Sequence, residues 1–444
     1  MGRNDLPGKA APRPIEQPER ASADPAPVRR RELSLVPPPP ASGEPPHPSR
    51  SSLRGLDWFI FFLADVQTGF GPFVAVYLTS QKWTQVESGL VLSISGIVAL
   101  FAQMPGGALV DAARSERLVA AFALGGIGAA ALSYALLPIF PVIAAAAVLH
   151  AGASCVLGPC IVAMSLGLVG HMAIGERLGR NARFASIGNG VAAAVMGGVG
   201  YLLSPRWVFI VTALLLIPAM IALSRIRPVE VDPERAHGGP VESTPDHAPV
   251  AVRTVIRKRE LLILAGCALL FHLANASMLP LMGSVLTMRS AEWATMLIAG
   301  CIVVPQIIVA AVSPWVGHHA QVWGRRPFLL LAFMALLLRA LLFATVSDPA
   351  FVLAIQALDG ITASALGIMV PLMVADITRG TGRFNLAQGI VGTAVGIGAS
   401  ISPTLSGYLT DYFSASVAFL GLAGIASVGL AGVWLLMPET RPQD

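Results

Sequence analysis

Twelve apolar stretches, most of them long enough to cross a lipid bilayer, dominate this chain. They span roughly residues 58–79, 88–110, 118–137, 142–169, 186–203, 206–223, 261–286, 293–316, 327–346, 350–375, 385–408 and 415–437. A bilayer core offers the backbone no hydrogen-bond partner, so about 20 consecutive apolar residues must close their bonds internally as a helix. Composition agrees. The chain is 55% hydrophobic and 12% charged, whereas soluble domains carry roughly 25% charged residues. The mean hydropathy is +0.69. So little charge cannot cover a soluble surface, and disorder over most of the length is excluded. Cys155, Cys160, Cys267 and Cys301 all fall inside apolar runs and read as small buried hydrophobes. The expected fold is an all-α membrane protein of twelve transmembrane helices.

The polar segments organise those helices. Residues 1–54 are rich in Pro, Ala, Arg and Glu and include Pro37-Pro38-Pro39-Pro40; this composition predicts a disordered tail. The tail has no apolar stretch of the signal-peptide kind. A long polar segment at 226–258 carries several Pro and Gly and divides the runs six and six, giving halves at 55–225 and 259–444. Arg and Lys set the orientation. The even-numbered connections hold 16 of them, and the odd-numbered ones hold only Lys82, Arg206 and Arg289. Both termini are therefore expected in the cytoplasm, with 226–258 as a cytoplasmic linker. The net charge of +5 is thus a topology signal, and no nucleic-acid surface is expected.

The halves echo one another. Gly107-Ala108-Leu109-Val110-Asp111-Ala112-Ala113-Arg114 with Glu116-Arg117 follows the second run. Gly317-His318-His319-Ala320-Gln321-Val322-Trp323-Gly324-Arg325-Arg326 follows the eighth. Arg183-Phe184 opens the fifth run and Arg383-Phe384 the eleventh. His150 and Gly158 in the fourth run match the spacing of Asp359 and Gly367 in the tenth. Six plus six helices with this loop in both halves resemble the major facilitator superfamily, whose signature loop reads Gly-x-x-x-Asp-x-x-Gly-Arg-Arg/Lys. The likeness covers roughly 55–440. It departs at Arg114, where the loop has Gly, and at Gln321, where it has Asp. It departs also at His150, where many superfamily antiporters carry Arg, and at Gly197-Gly198, which lacks the antiporters' preceding Gly-Pro.

The resemblance implies two pseudo-symmetric six-helix halves, built from inverted three-helix repeats, around a cavity lined by runs 1, 4, 7 and 10. Each of those runs carries a proline: Pro72, Pro159, Pro280 and Pro371. Proline kinks a membrane helix, so these four are expected as gating hinges. The signature loops imply a latch on the outward-facing state, with Asp111 and Arg117 in the first half and Arg325 and Arg326 in the second.

Ionisable groups inside the bilayer cost roughly 2.5–3.5 kcal/mol each on insertion scales, so every one is a site candidate. Asp65, His150, His272 and Asp359 fall one on each of the four cavity runs. Carboxylates and imidazoles can change charge once desolvated, so Asp65 and Asp359 are the expected proton carriers. Gln67, His150, His272, Asn275 and Gln356 are expected to contact substrate. Arg339 lies outside the four runs and is expected in a structural ion pair with Asp359 or Asp376. The Met278/Met282 and Met369/Met373 pairs put both sulfurs on one helix face. They are read as a flexible apolar substrate wall or as packing, with a soft-metal site as the weaker alternative.

The function expected is secondary active transport of a small organic solute by alternating access, coupled to protons, with export slightly favoured. An uptake symporter or a metal-chelate transporter is the alternative, and a non-transporting membrane sensor or partner-binding protein is the alternative of another class. No P-loop, metal cluster or nucleophile elbow stands in the sequence, so neither an enzyme nor a cofactor is expected. The location expected is a bacterial plasma (inner) membrane, the partners being the solute, protons and the bilayer, and the chain acting as a monomer.

Overall fold

A computed structural model of the chain describes residues 48–68, 80–239, 250–289, 291–346 and 348–441, together with Val74, Tyr77 and Leu78. Every regular element among these residues is helical. In chain order they are α1 (Arg50–Thr68), α2 (Gln85–Ala112), α3 (Glu116–Leu136), α4 (Phe140–Leu202), α5 (Pro205–Ser224), a 3₁₀ turn at Pro228–Glu230, α6 (Pro233–Ala236) and α7 (Val252–Ile256). Then follow α8 (Arg259–Asn275), α9 (Met278–Arg289), α10 (Ala291–Trp323), α11 (Arg326–Thr345), α12 (Pro349–Thr378), α13 (Phe384–Tyr412) and α14 (Ala415–Leu436). Ten helices among the described residues are long and apolar enough to cross a membrane. One of them, Phe140–Gly200, has 61 residues, about twice what a single crossing needs. The first apolar run extends beyond the described residues.

Local chemistry sets the helix ends. Thr84 and Glu87 form a reciprocal capping box at the start of α2, with Glu87 N donating to Thr84 Oγ1 at 3.1 Å and Thr84 N to Glu87 Oε2 at 2.9 Å. That arrangement satisfies two of the orphan donors that every helix start exposes. Ser115 and Ser414 cap α3 and α14 in the same sense. Proline sits in the first turn of α4, α5 and α11, where its missing N–H costs nothing.

The sequence predicts a loop between runs four and five, at about 170–185. The structure corrects this. Helix continues through that stretch, and the break is one residue wide, at Gly170 with φ +70°. That conformation is open to glycine and strained for a residue with a β-carbon. Proline is also less selective than expected. Besides Pro159 and Pro371, interior prolines occur at Pro105, Pro218, Pro305, Pro314 and Pro403. Pro280 lies in the first turn of α9, just after the seventh run breaks between Asn275 and Met278. Ser402 Oγ holds that break, accepting from Ser277 N at 3.1 Å and donating to Ser277 Oγ at 2.9 Å. Pro72 lies outside the described residues.

Two large apolar clusters make up most of the buried interior. One is built from residues between Leu56 and Ala236. The other runs from Val255 to Met437 and also takes in Leu166, Ile174 and Leu178 of α4. The starts of α1, α3, α8, α11 and α13 lie at one end of the bundle, with the segment 228–239 strapped across it. There Glu230 Oε2 accepts from Ser49 N at 2.8 Å, Asp232 N donates to Gly167 O at 3.2 Å, and Phe384 N donates to His237 O at 3.1 Å. We call this the strap end.

Candidate functional site

Two helix crossings join the halves at the strap end, and they repeat one register. At the first, α2 passes the start of α13, with Gly107 on Asn385 and Gln103 on Gly389. At the second, α10 passes the part of α4 that follows its break, with Gly317 on Gly175 and Ser313 on Gly179. The contacting positions recur at i, i+4 on both partners, so one helical stripe serves each crossing. A β-carbon at Gly107 would land on the Asn385 carbonyl oxygen, and one at Gly317 on the Gly175 carbonyl oxygen.

One turn beyond each glycine the crossings diverge. Asp111 reaches the first turn of α13 and accepts three hydrogen bonds: from Leu386 N at 2.7 Å, Asn385 N at 3.0 Å and Asn385 Nδ2 at 2.9 Å. An anion on unpaired N–H groups at a helix start is doubly favoured, by hydrogen bonding and by the helix dipole. Gln321, at the same place in the second crossing, leaves its buried Nε2 unpartnered. Further up, Arg183 Nε donates to Ala310 O at 2.8 Å and Ser186 Oγ to Gln306 Oε1 at 2.7 Å. The strap end is thus sealed between the halves.

The other signature-loop residues act within one half. Arg117 donates to Ile226 O at 2.7 Å. Arg325, 1% exposed, pairs with Asp376 at 3.0 Å and donates from its backbone to Glu439 at 2.8 Å. Arg326 donates to the Trp434 carbonyl. Gly324, with φ +95°, turns the chain against the Glu439 carboxylate.

The strap adds a titratable contact. His237 stands 2.9 Å from the Glu116 carboxylate at the start of α3. Burial works to lower the imidazole's pKa, but Glu116, the charge of Asp111 and the Val110 carbonyl together raise it above its ordinary 6.5. Next to it, Asn385 Nδ2 also reaches the Ala236 carbonyl at 3.4 Å.

Deeper in the second half is a polar cluster within the apolar core. Arg339 of α11 pairs with Asp359 of α12 and donates to Asn275 of α8. It also reaches Met278 Sδ at 3.3 and 3.4 Å. Gln356 Nε2 donates to Asp359 Oδ2 at 3.2 Å and Thr362 Oγ1 to Asp359 O at 2.8 Å. The sequence names Asp359 and Asp376 as alternative partners for Arg339; the structure pairs it with Asp359. Asp359 keeps 26% of its side chain exposed, against 2% for Arg339. Gln356 is buried, with Oε1 unpartnered.

The remaining candidates are spread out. His150 lies 3.3 Å from Ser154 Oγ. His272 meets Phe271 edge-on, with ring centroids 5.4 Å apart. Met278, Met282, Met369 and Met373 are all buried in the second core. The side chains of Asp65 and Gln67 lie outside the described residues. Among the described residues no group of three His, Cys, Asp or Glu forms a metal-binding set.

Sequence reasoning missed a buried network in the first half. Asp57, 1% exposed, takes Arg177 Nη2 at 2.6 Å and Arg180 Nη2 at 2.7 Å. Arg177 Nε continues to Asn181 Oδ1 at 2.7 Å, and Asn181 Nδ2 to Ser165 Oγ at 2.8 Å. Both arginines count toward topology in the sequence, and only their i, i+3 spacing opposite an acid at the head of run one could have pointed to the network.

The pattern of the Major Facilitator Superfamily matches this chain at residues 57–346 and 301–444. The chain belongs to the major facilitator superfamily. It is therefore a membrane transporter by family. An uncharacterized MFS-type transporter of Mycobacterium tuberculosis (strain H37Rv) is 36% identical over 398 residues, 88% of this chain and 94% of the relative. A chloramphenicol resistance protein of Pseudomonas aeruginosa is 34% identical over 123 residues, 27% of this chain and 29% of the relative. Among solved superfamily structures, the E. coli fucose:proton symporter FucP aligns with TM-score 0.64 at 14% identity, covering 88% of this chain and 98% of that one. FucP in the outward conformation aligns at 0.65 and 14%, with 89% and 99% covered. The human organic anion transporter MFSD10 aligns at 0.64 and 14%, with 86% and 99% covered. These likenesses establish the fold.

Proposed function

We propose that this chain is a secondary active transporter that moves a small organic solute by alternating access, coupled to protons, across a bacterial plasma membrane, with export as the favoured direction. The observation that carries the coupling is Asp359. It is an ionisable group on a predicted cavity helix, ion-paired to a buried arginine yet 26% exposed itself. A carboxylate so placed can exchange a proton with water at its exposed side. Once neutral, it no longer balances Arg339, and the hydrogen bonds to Asn275 and Gln356 must rearrange. Protonation and the shape of the cluster are thereby tied, as coupling requires. Asp65 serves as the second carrier in this reading.

The sealed strap end supports reading the structure as the outward-facing state, if the basic loops lie in the cytoplasm as their charge bias argues. A fucose:proton symporter and an organic anion transporter share the fold, and a chloramphenicol resistance protein shares part of the sequence; a small organic solute is common to all three. The apolar surroundings of the cluster favour an amphipathic solute.

The test begins with a thermal-shift screen of the purified chain against metabolites and drugs across pH. The best ligand is then followed in proteoliposomes. Asp359→Asn is expected to lower pH-gradient-driven flux by roughly 100-fold, as loss of the partner of a buried charge costs several kcal/mol. Exchange of labelled for unlabelled solute, which needs no net proton movement, should persist. Gradient-driven flux that survives the substitution overturns the coupling.

A further inference from the structure

Beside α1 at the strap end lies a cavity of about 520 Å³ against α5. Its mouth carries Arg50, Arg54 and Arg225, and its inner wall is made by Trp58, Phe62 and Ile221. All three arginines are exposed, and none forms an ion pair among the described residues. That sets them apart from their neighbours: Arg177 and Arg180 are held by Asp57, and Arg227 by Glu230. The wall is apolar yet faces outward. Trp58 is 50% exposed and Ile221 55%, and Trp58 stacks on Phe62 with ring centroids 5.9 Å apart. Trp58 is eight residues past Arg50, so the aromatic pair lies about 12 Å deeper along the helix.

Three guanidiniums that have no ion-pair partner among the described residues form, with the outward-facing apolar wall below them, an amphipathic slot. Arginine matches phosphate in geometry as well as charge. Basic pockets between membrane helices suit acidic headgroups, and tryptophan favours the headgroup level. A second cavity of about 370 Å³ lies on the other side of Arg50 and Arg54, but Glu176 and the Asp57-bound arginines line it. That cavity shares Arg50 and Arg54 but adds the Glu176 carboxylate, and its apolar lining of Leu53, Val169 and Ala173 has no aromatic residue.

We infer that the slot between α1 and α5 binds an anionic phospholipid, with the phosphate between Arg50, Arg54 and Arg225 and an acyl chain along Trp58, Phe62 and Ile221. The lipid would tether the first helix to the sixth run of the same half.

The full chain, which has seven tryptophans, is reconstituted with brominated-acyl phosphatidylglycerol or phosphatidylcholine, and the share of tryptophan quenching that Trp58→Phe removes reports lipid at Trp58. Phosphatidylglycerol should be preferred at least tenfold. The triple variant R50Q/R54Q/R225Q should bring the preference below twofold, and R225Q alone should lower it roughly fivefold, the weight of one basic residue near an anionic surface. A variant removing equal charge elsewhere at the same end, R114Q/R253Q/R257Q, should stay within twofold of the parent. The inference is overturned if the parent shows no preference, or if the second triple variant loses as much as the first. It is overturned if Trp58→Phe leaves the quenching difference intact. It also fails if soluble glycerol phosphate protects the chain against heat as strongly as the lipid does, because the arginines would then serve a soluble anion.

Discussion

The two strap-end crossings share a backbone and differ in charge. In each, a glycine lets two helices touch and a polar residue one turn later faces the opposing helix, at the start of α13 in the first and past the Gly170 break of α4 in the second. Asp111 fills that place with an anion and three donors. Gln321 fills it with an amide whose buried Nε2 lacks a partner. Close packing is therefore the common element, and a carboxylate on a helix start is found at the first crossing alone, whereas the second is tied further along by Arg183 to Ala310 O and Ser186 to Gln306. At the matching position, then, the first crossing holds a charged contact and the second holds none.

The strongest way to break the comparison is to remove what the crossings share. Gly107→Ala and Gly317→Ala each place a methyl group onto a backbone carbonyl that has little room to move. Overpacking of this kind costs typically 1–3 kcal/mol. Each substitution is expected to shift the protein toward the strap-end-open form by roughly 10- to 100-fold. Labelling of a cysteine placed beside Asn385 by a water-soluble maleimide reads that shift. Equal effects support packing as the common element. If only Gly107→Ala acts, the second crossing is no seal.

The next largest effect should come from the charge. Asp111→Asn keeps the size but replaces charge-assisted bonds, worth roughly 1.5–3 kcal/mol for bonds to charged groups, with neutral ones. About a tenfold rise in labelling is expected. The converse, Gln321→Asp, places an anion before the turns that follow Gly170 and should lower labelling two- to fivefold, the scale of a helix-dipole interaction. If Gln321→Asp loosens the seal instead, the two crossings are alike only in their glycines.

How much of this could be read from the sequence follows from range. Apolar runs are local, so the helices are legible, and Gly-x-x-x-Asp is local too, so Asp111 is found. The pairing of Arg339 narrows to two acids because bilayer charges are few. Asp57 with Arg177 escapes because its partners lie 120 residues apart and the arginines resemble ordinary loop charges. Gly170 escapes because a one-residue break between two apolar runs looks like a polar loop. The strap escapes because 228–239 has no apolar period; its order comes from backbone bonds to Gly167, Gly382 and Phe384. The four methionines show the converse: a face-sharing pattern legible in sequence that the fold uses in its core.

The strap offers the smallest effect and the one with a sign to check. The pKa of His237 is raised in the folded chain above 6.5. The folded state therefore holds the proton more tightly than the unfolded one, and the Glu116 contact stabilises fully below about pH 6.5. That contribution is lost as pH climbs through the raised folded value. Glu116 and Asp111 are the acids that face the ring, one on each side of the first signature loop, so a neutral His237 loosens the strap beside the charged crossing and leaves the Gly317 crossing untouched. His237→Gln should thus destabilise the chain at pH 6 by about 1 kcal/mol, the scale of a partly buried ion pair, and have little effect at pH 8.5. Melting temperatures across that range measure it. A variant whose deficit is constant with pH, or grows as pH rises, would place the strap's hold in its backbone bonds alone.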